Sequence, residues 1–307
     1  MELIRGLSQL EKRHRPSVVS IGNYDGVHRG HQHVISTLMA KSRQFAAPAT
    51  VVTFEPLAKE FFMPGSVPRL SSIEDRAALL FELGVERVLC IEFTADFAAY
   101  SPHGFIQEVL VEGLGIQYLC VGDDFRFGKN RAGDFNMLVN AGKQFGFDVT
   151  AHDTFELYGV RVSSGRVRQA LINSDFRLAE QLLGRPFAIS GEVKQGRQLG
   201  RTIDFPTANL ELAGSLVPIQ GVFTVTVAIE GEGSFAGVAN IGQRPTVGGS
   251  ENRLEVHLFD FDQDLYGKTL EVFFHSKIRD ERKFDSFDLL KQQIKLDAQL
   301  AREELQK

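Results

Sequence analysis

Tryptophan is absent from this 307-residue chain and cysteine occurs only twice, at Cys90 and Cys120. Each thiol sits inside an apolar run (Arg87–Phe93 and Gln117–Gly122), where both read as buried thiols of a cytosolic protein rather than as a disulfide or a metal pair. No basic excess exists: 34 Lys and Arg stand against 39 Asp and Glu, a net charge of −5, so general nucleic-acid binding is not expected. Nor does any apolar run approach the ~18 residues that a spanning helix needs, and membrane insertion is not expected either. The start, Met1–Leu10, has no basic region followed by an apolar stretch, which argues against a secretory signal. Two common phosphate loops are missing as well. There is no Gly-x-x-x-x-Gly-Lys-Ser/Thr, and no Gly-x-Gly-x-x-Gly follows the first apolar strand, so a P-loop kinase and a dinucleotide dehydrogenase are both disfavoured.

What is present is length for two domains and an abundance of phenylalanine, 25 residues, which fits aromatic-walled pockets and an ordinary core equally well. In the first half, Ser17–Gly22, Ala49–Phe54, Arg87–Phe93, Gln117–Gly122 and Phe147–Ala151 read as strands. They are separated by helical patterns near Gly30–Phe45, Ser72–Leu83, Pro102–Glu112 and Gly133–Phe145. Strands that are apolar throughout and separated by helices indicate a parallel sheet covered on both faces. Ligands of such sheets bind beyond the carboxyl ends of the strands, so the loops after Ile21, Thr53, Ile91 and Val121 are the places to look. Two helical segments, Ser163–Asn173 and Asp175–Leu183, close this half. After Gly184-Arg185-Pro186 the pattern changes. Phe187–Val193, Gly221–Glu230, Ser234–Asn240, Arg253–Phe259 and Thr269–Ser276 alternate with Gly, Asp and Pro turns, which predicts an antiparallel sheet or small barrel, ended by one helix over Ser286–Glu304. The division is therefore placed at 1–184 and 185–307.

The sharpest local feature is Gly22-Asn23-Tyr24-Asp25-Gly26-Val27-His28-Arg29-Gly30-His31, between a strand and a helix. Glycine allows tight backbone approach, and the free N–H groups of a helix start attract phosphate. His28 and His31, three apart, can both face one anion and stabilise its charge, although the residues alone also allow a solvated pair or a metal pair. Asp25 either helps hold Mg²⁺ or caps the turn, and His33 points elsewhere as a structural residue. A helix opening Ser163-Ser164-Gly165-Arg166 offers hydroxyls, amides and a guanidinium fork to an anion. In the second half, Thr207 and Asn209 of Pro206-Thr207-Ala208-Asn209 alternate like strand neighbours and project oxygens to one side, as a capped turn or as hard ligands for Mg²⁺. Glu255, His257 and Phe259 share a face of their strand, and His257 reads as structural. Asp260-x-Asp262-x-Asp264 imitates a calcium loop but is rejected as one, because Leu265 stands where that loop demands glycine.

In order along the chain, Gly22–His31, Thr53-Phe54-Glu55-Pro56 with Pro68-Arg69-Leu70, Val121–Gly128, Ser163–Arg168 and Pro206–Asn209 resemble the signatures of the bacterial bifunctional riboflavin kinase/FMN adenylyltransferases (FAD synthetases). The resemblance implies an N-terminal Rossmann-like nucleotidyltransferase sheet and a C-terminal riboflavin-kinase barrel with a terminal helix. It implies that His28 and His31 contact ATP together with Gly22, Asn23, Asp25 and Gly26. By the same resemblance Ser163, Ser164 and Arg166 or Arg168 hold pyrophosphate, while Asp123, Asp124 and Phe125 line the flavin or adenine side. In the second domain it makes Thr207 and Asn209 ligands of Mg²⁺ and Glu255 the general base on the ribityl 5′-hydroxyl; Arg279 touches flavin phosphate or orders a lid. The implied substrates are ATP, riboflavin and FMN, with Mg²⁺ as cofactor. Tyr24, Gly165 and Asp204 stand where the family usually has phenylalanine, threonine and glycine.

Overall fold

The computed structural model describes residues 1–122, 124–195, 205–212, 216–246 and 249–306. Its backbone divides into two compact units, one of residues 1–67 and 71–163, the other of residues 68–70 and 164–307. In the first unit β1 (Glu2–Arg5), β2 (Ser17–Ile21), β3 (Ala49–Glu55), β4 (Arg87–Glu92), β5 (Ile116–Val121) and β6 (Asp148–Ala151) form one sheet in the order β1-β4-β3-β2-β5-β6. Every pairing in it is parallel. The strands are apolar throughout because both faces are buried. Val18, Val51 and Val88 join a core with Val34, Leu38 and Leu80, whereas their neighbours Val19, Val52 and Leu89 join the opposite core with Phe105, Leu110 and Leu119. Between the strands lie α1 (Arg29–Phe45), α2 (Ala58–Phe62), α3 (Ile73–Glu82), α4 (Ala95–Ala98), α5 (Pro102–Gly104) and α6 (Phe135–Phe145). The strand order reverses between β2 and β5, so the loops leaving these two strands flank the crevice where such sheets receive ligands.

Three local features differ from the sequence expectation. β1 was not foreseen: four residues with one buried side chain, Ile4, give no readable period. The helix expected over Pro102–Glu112 is α5 followed by a π-helical stretch, Phe105–Gly113, whose wide turns set Phe105, Ile106, Val109 and Leu110 against the sheet. A two-stranded ribbon, β7 (Glu156–Leu157) and β8 (Val160–Arg161), turns at Tyr158 and Gly159, both with positive φ, and is too short to show alternation.

The second unit opens with α7 (Ser164–Ile172) and α8 (Phe176–Leu183), the latter capped by Asp175 and ended by Gly184 in the left-handed conformation. It then closes a barrel from β9 (Phe187–Lys194), β10 (Ala208–Glu211), β11 (Gly221–Ile229), β12 (Gly233–Thr246), β13 (Gly249–Leu258) and β14 (Thr269–Arg279), in the order β10-β13-β12-β11-β14-β9. All six pairings are antiparallel. Closure removes the exposed edges that an open sheet of this size would carry. β12 and β13 run longer than their apolar alternation suggested, and β10 emerges from the Pro-Thr-Ala-Asn segment.

The last helix, α9 (Phe287–Leu305), starts at Ser286, whose side chain accepts from the Leu289 N–H at 3.3 Å. Its inward face is small and acidic. Ala298 and Ala301 pack with Val238 and Phe259, while Leu289, Leu296 and Leu300 are exposed. The acid is Asp297, which receives Arg279 Nε at 3.0 Å and Nη2 at 2.8 Å and Gln293 Nε2 at 2.7 Å. With Asp297 only 2% exposed, the pair tethers α9 to β14. Removing the carboxylate leaves a largely covered guanidinium without its counter-ion, so Asp297→Ala is expected to destabilise the second unit by about 3 kcal/mol. Chemical denaturation of that variant measures it.

Candidate functional site

At the crevice of the first unit, the loop from Gly22 to His28 is held by buried polar contacts. Tyr24 and Val27 both adopt positive φ, which costs energy in non-glycine residues and persists here because both side chains are buried. The Tyr24 hydroxyl meets Ser20 Oγ at 2.6 Å. Asp25 is buried, and its Oδ1 accepts from the Ser71 N–H (3.1 Å) and hydroxyl (3.3 Å), while Ser71 Oγ accepts from the Gly26 N–H at 3.0 Å. These contacts tie the loop to Ser71, just ahead of α3. The Asn23 carbonyl accepts from Thr53 Oγ1, which in turn accepts from the fully buried Arg76. Nothing in the sequence pattern singled out Arg76, an arginine on the covered face of α3.

His28 is the N-cap of α1: its Nδ1 accepts from the His31 N–H at 3.2 Å, which places the proton of the neutral ring on Nε2. The His31 ring stacks on it at 3.6 Å and 14°, and the Tyr24 ring lies 4.9 Å from that of His31, tilted by 46°. Burial first, then the neighbouring His28, Arg76 and His152, push the His31 imidazole well below its ordinary pKa, so it is neutral at pH 7. Its Nδ1 is buried with no hydrogen-bond partner among the described residues. Gly30 lies close against this pair: a Cβ there would stand 3.2 Å from the His28 ring and 3.4 Å from the Val162 carbonyl. His33 is exposed, 5.8 Å from Phe155.

Beside Gly22 and Asn23 opens a cleft of about 1160 Å³ with walls of Phe54, Phe61, Phe62, Phe93, Phe97 and Phe125 and a rim of Lys59, Arg126, Lys129 and Arg131. Sequence reasoning noticed the excess of phenylalanine but placed only Phe125, which stacks on Phe127 at 5.7 Å. These rings come from four separate segments, so no single motif reveals the wall. Asp123 lies outside the described residues. Asp124 is exposed, with Arg161 Nη1 3.8 Å from its carboxylate. Ser163 ends the first unit. Ser164, Arg166 and Arg168 stand in the first turns of α7 in the second, with Arg168 Nε donating to the Pro68 carbonyl at 2.6 Å.

In the barrel, Asn209 of β10 lies directly opposite Glu255 of β13, and Glu255 lies opposite Asn240 of β12. Three polar side chains thus fall at one level of three adjacent strands. Arg253, two residues from Glu255 on the same face, donates to Asn209 Oδ1 and sits 3.0 Å from Glu255 Oε1. Thr207 is exposed and lines a cavity of about 640 Å³ with Val193, Val256, Phe261, Asp262 and Tyr266. His257 Nδ1 meets the Pro206 carbonyl at 2.8 Å between Phe205 and Phe259; burial lowers its pKa, in keeping with a structural role. Asp260 is occupied by Arg302, and Asp264 accepts from the Tyr266 N–H, so these carboxylates shape a turn. Arg279 is turned onto Asp297. Asp204 lies outside the described residues. Cys90 and Cys120 are free and buried, and burial pushes the Cys90 thiol up to about 11. No helix among the described residues is long and apolar enough to cross a membrane.

Comparison with known proteins accounts for the whole chain. The profile of the FAD synthetase family matches residues 10–166, and that of the riboflavin kinase family matches residues 183–305. The bifunctional riboflavin kinase/FMN adenylyltransferase of Pseudomonas fluorescens is 48% identical over 98% of this chain and 97% of its own length. That of Escherichia coli K12 is 48% identical over 99% and 97%, and that of Haemophilus influenzae 45% over 98% and 98%. A crystal structure described as a macrolide-efflux protein of Streptococcus pneumoniae shares the fold with a TM-score of 0.79, at 30% identity over 98% of this chain and 99% of that one. With both profiles present in sequence and near-half identity from end to end, the chain belongs to the family of bifunctional riboflavin kinase/FMN adenylyltransferases.

Proposed function

We propose that this chain converts riboflavin to FMN and FMN to FAD, spending one ATP at each step. What carries the reading is that each family profile falls on a unit with its own cleft and its own polar cluster: the histidine loop beside 1160 Å³ in one, and in the other the Asn209–Glu255 pair together with a 640 Å³ cavity lined by Thr207. The functional division is placed at 1–184 for adenylyl transfer and 185–307 for the kinase.

In the kinase, Glu255 takes the proton of the ribityl 5′-hydroxyl as that oxygen bonds to the γ-phosphorus and ADP leaves. The oxygen donors beside it fit a hard divalent cation. Asn209 Oδ1 and the Glu255 carboxylate already share one positive charge, that of Arg253, and the Thr207 hydroxyl is open to the neighbouring cavity. Thr207 and Asn209 would hold Mg²⁺, which neutralises nucleotide phosphate charge when bound. For Arg279, the pair with Asp297 supports holding α9 in place over touching flavin.

In the adenylyltransferase, an FMN phosphate oxygen attacks the α-phosphorus of ATP and pyrophosphate departs; no covalent protein intermediate is formed. The geometry of His28 and His31, one ring oriented as a cap and the other with an unpartnered buried nitrogen, supports contact with ATP phosphate, while Gly22, Asn23, Asp25 and Gly26 keep the ATP-binding role that the family resemblance gives them. Ser163, Ser164, Arg166 and Arg168 keep the pyrophosphate role that the family resemblance gives them. Phe125, Asp124 and Asp123 are assigned to the flavin side; for Phe125 the aromatic cleft supports it, since an isoalloxazine needs broad apolar walls. Incubation of the purified chain with riboflavin and Mg-ATP is the test: FMN accumulates first and FAD follows, with ADP and then pyrophosphate as by-products. A protein that binds flavin and yields neither product is a carrier, and the proposal fails.

A further inference from the structure

Arg253 is used neither by the phosphoryl-transfer chemistry nor by the barrel core, yet it is placed between the two residues on which the kinase reading depends. Its guanidinium donates to Asn209 Oδ1 and lies 3.0 Å from Glu255 Oε1, and the side chain is about one-third exposed. Arginine only donates, so this contact also decides which end of the Asn209 amide faces it: Oδ1 turns to the guanidinium and Nδ2 turns back to the Thr207 carbonyl, 3.5 Å away. A second cation approaching Asn209 Oδ1 meets both an occupied lone pair and a like charge a few ångströms off.

Resting on the kinase reading above, we infer that Arg253 is an internal competitor of the divalent cation: its guanidinium occupies the Asn209 oxygen that the cation of the nucleotide needs, and it must swing away before that cation is held by Thr207 and Asn209. The device follows from spacing. Residues 253 and 255 project from the same face of β13, and β10 sets Asn209 opposite Glu255, so a long side chain at 253 reaches both oxygens. It keeps Asn209 oriented and Glu255 charge-balanced while raising the cation concentration at which the site fills. An ion pair about one-third exposed contributes little, so the penalty is modest, about two- to fivefold in cation affinity.

The probe is Mn²⁺ alone, titrated into the full chain and followed by electron paramagnetic resonance. Arg253→Gln is expected to bind Mn²⁺ about two- to fivefold more tightly than the native chain and to reach half-maximal FMN formation at correspondingly lower Mg²⁺. Arg253→Lys keeps the charge but cannot fork across two acceptors, so it falls between the two; it also carries the test if glutamine impairs folding. Unchanged or weaker Mn²⁺ binding in both variants overturns the inference, because a residue that merely supports the fold or pre-orients Asn209 never improves affinity on removal. Failure of the kinase reading looks different: the native chain itself then forms no FMN from riboflavin and Mg-ATP.

Discussion

Replacement of Glu255 by alanine is expected to abolish FMN formation from riboflavin, with a loss of about 10²- to 10⁴-fold, while FAD formation from supplied FMN continues at the native rate. The size follows from the chemistry: a primary hydroxyl is a poor nucleophile until its proton is taken, and Glu255 is the carboxylate set beside Asn209 by the register of β10 and β13. The selectivity follows from the architecture, because the barrel and the parallel sheet each close on their own hydrogen bonds. Glu255 is about one-third exposed and paired only with Arg253 among the contacts described for it, so its loss is tolerable to the fold. Glu255→Gln, which keeps shape and removes basicity, should match alanine in activity and the native chain in melting temperature. Equal loss of both activities in either variant would sink the assignment of Glu255 to the kinase alone.

The two halves were unequally legible in the sequence. The parallel sheet could be read from strands such as Ser17–Ile21 and Ala49–Glu55, which are buried on both faces and therefore apolar without interruption. The barrel was also readable as a class, but β10 was hidden: Ala208–Glu211 shows alternation for only four residues after a proline, and pairing with β13 and β9 supplies what local pattern does not. α9 misleads in the opposite way. Its apolar positions Leu289, Leu290, Ile294, Leu296, Ala298, Leu300 and Ala301 recur mostly at helical spacing, yet of these only Ala298 and Ala301 are buried, next to Asp297, which pairs with Arg279. At the sites, His28 with His31 and Thr207 with Asn209 stand out by local spacing, whereas Glu255 is singled out only through the family resemblance and reaches Asn209 through the pairing of β10 with β13. The phenylalanine wall and buried Arg76 stayed invisible, since each is assembled from segments that meet only through the fold.

The converse experiment, at His28, is expected to remove about 10²- to 10³-fold of FAD formation and leave riboflavin phosphorylation intact. Alanine there does two things at once, and they need separating. It deletes the N-cap of α1, since His28 Nδ1 accepts from the His31 N–H, and that costs about 1 kcal/mol of stability in the first unit. It also deletes the Nε2–H donor and the ring on which His31 stacks at 3.6 Å. Asparagine distinguishes them, because its side-chain oxygen caps a helix as well as any residue does but offers no imidazole to a phosphate. His28→Asn is therefore expected to restore the melting temperature and not the rate, whereas a helix-capping role alone would restore both. The neutral state of His31 adds a pH criterion. Its folded pKa lies well below 6.5, so at about pH 7.5 and above it is uncharged in both folded and unfolded chains. Below that the unfolded chain takes up a proton which the folded loop refuses, and stability falls as the pH falls. His31→Gln should flatten that acid slope of the melting curve. FAD formation in the native chain should show no His31 titration between pH 7 and 8, and an inflection there that disappears in His31→Gln would mean that the ring works as a cation.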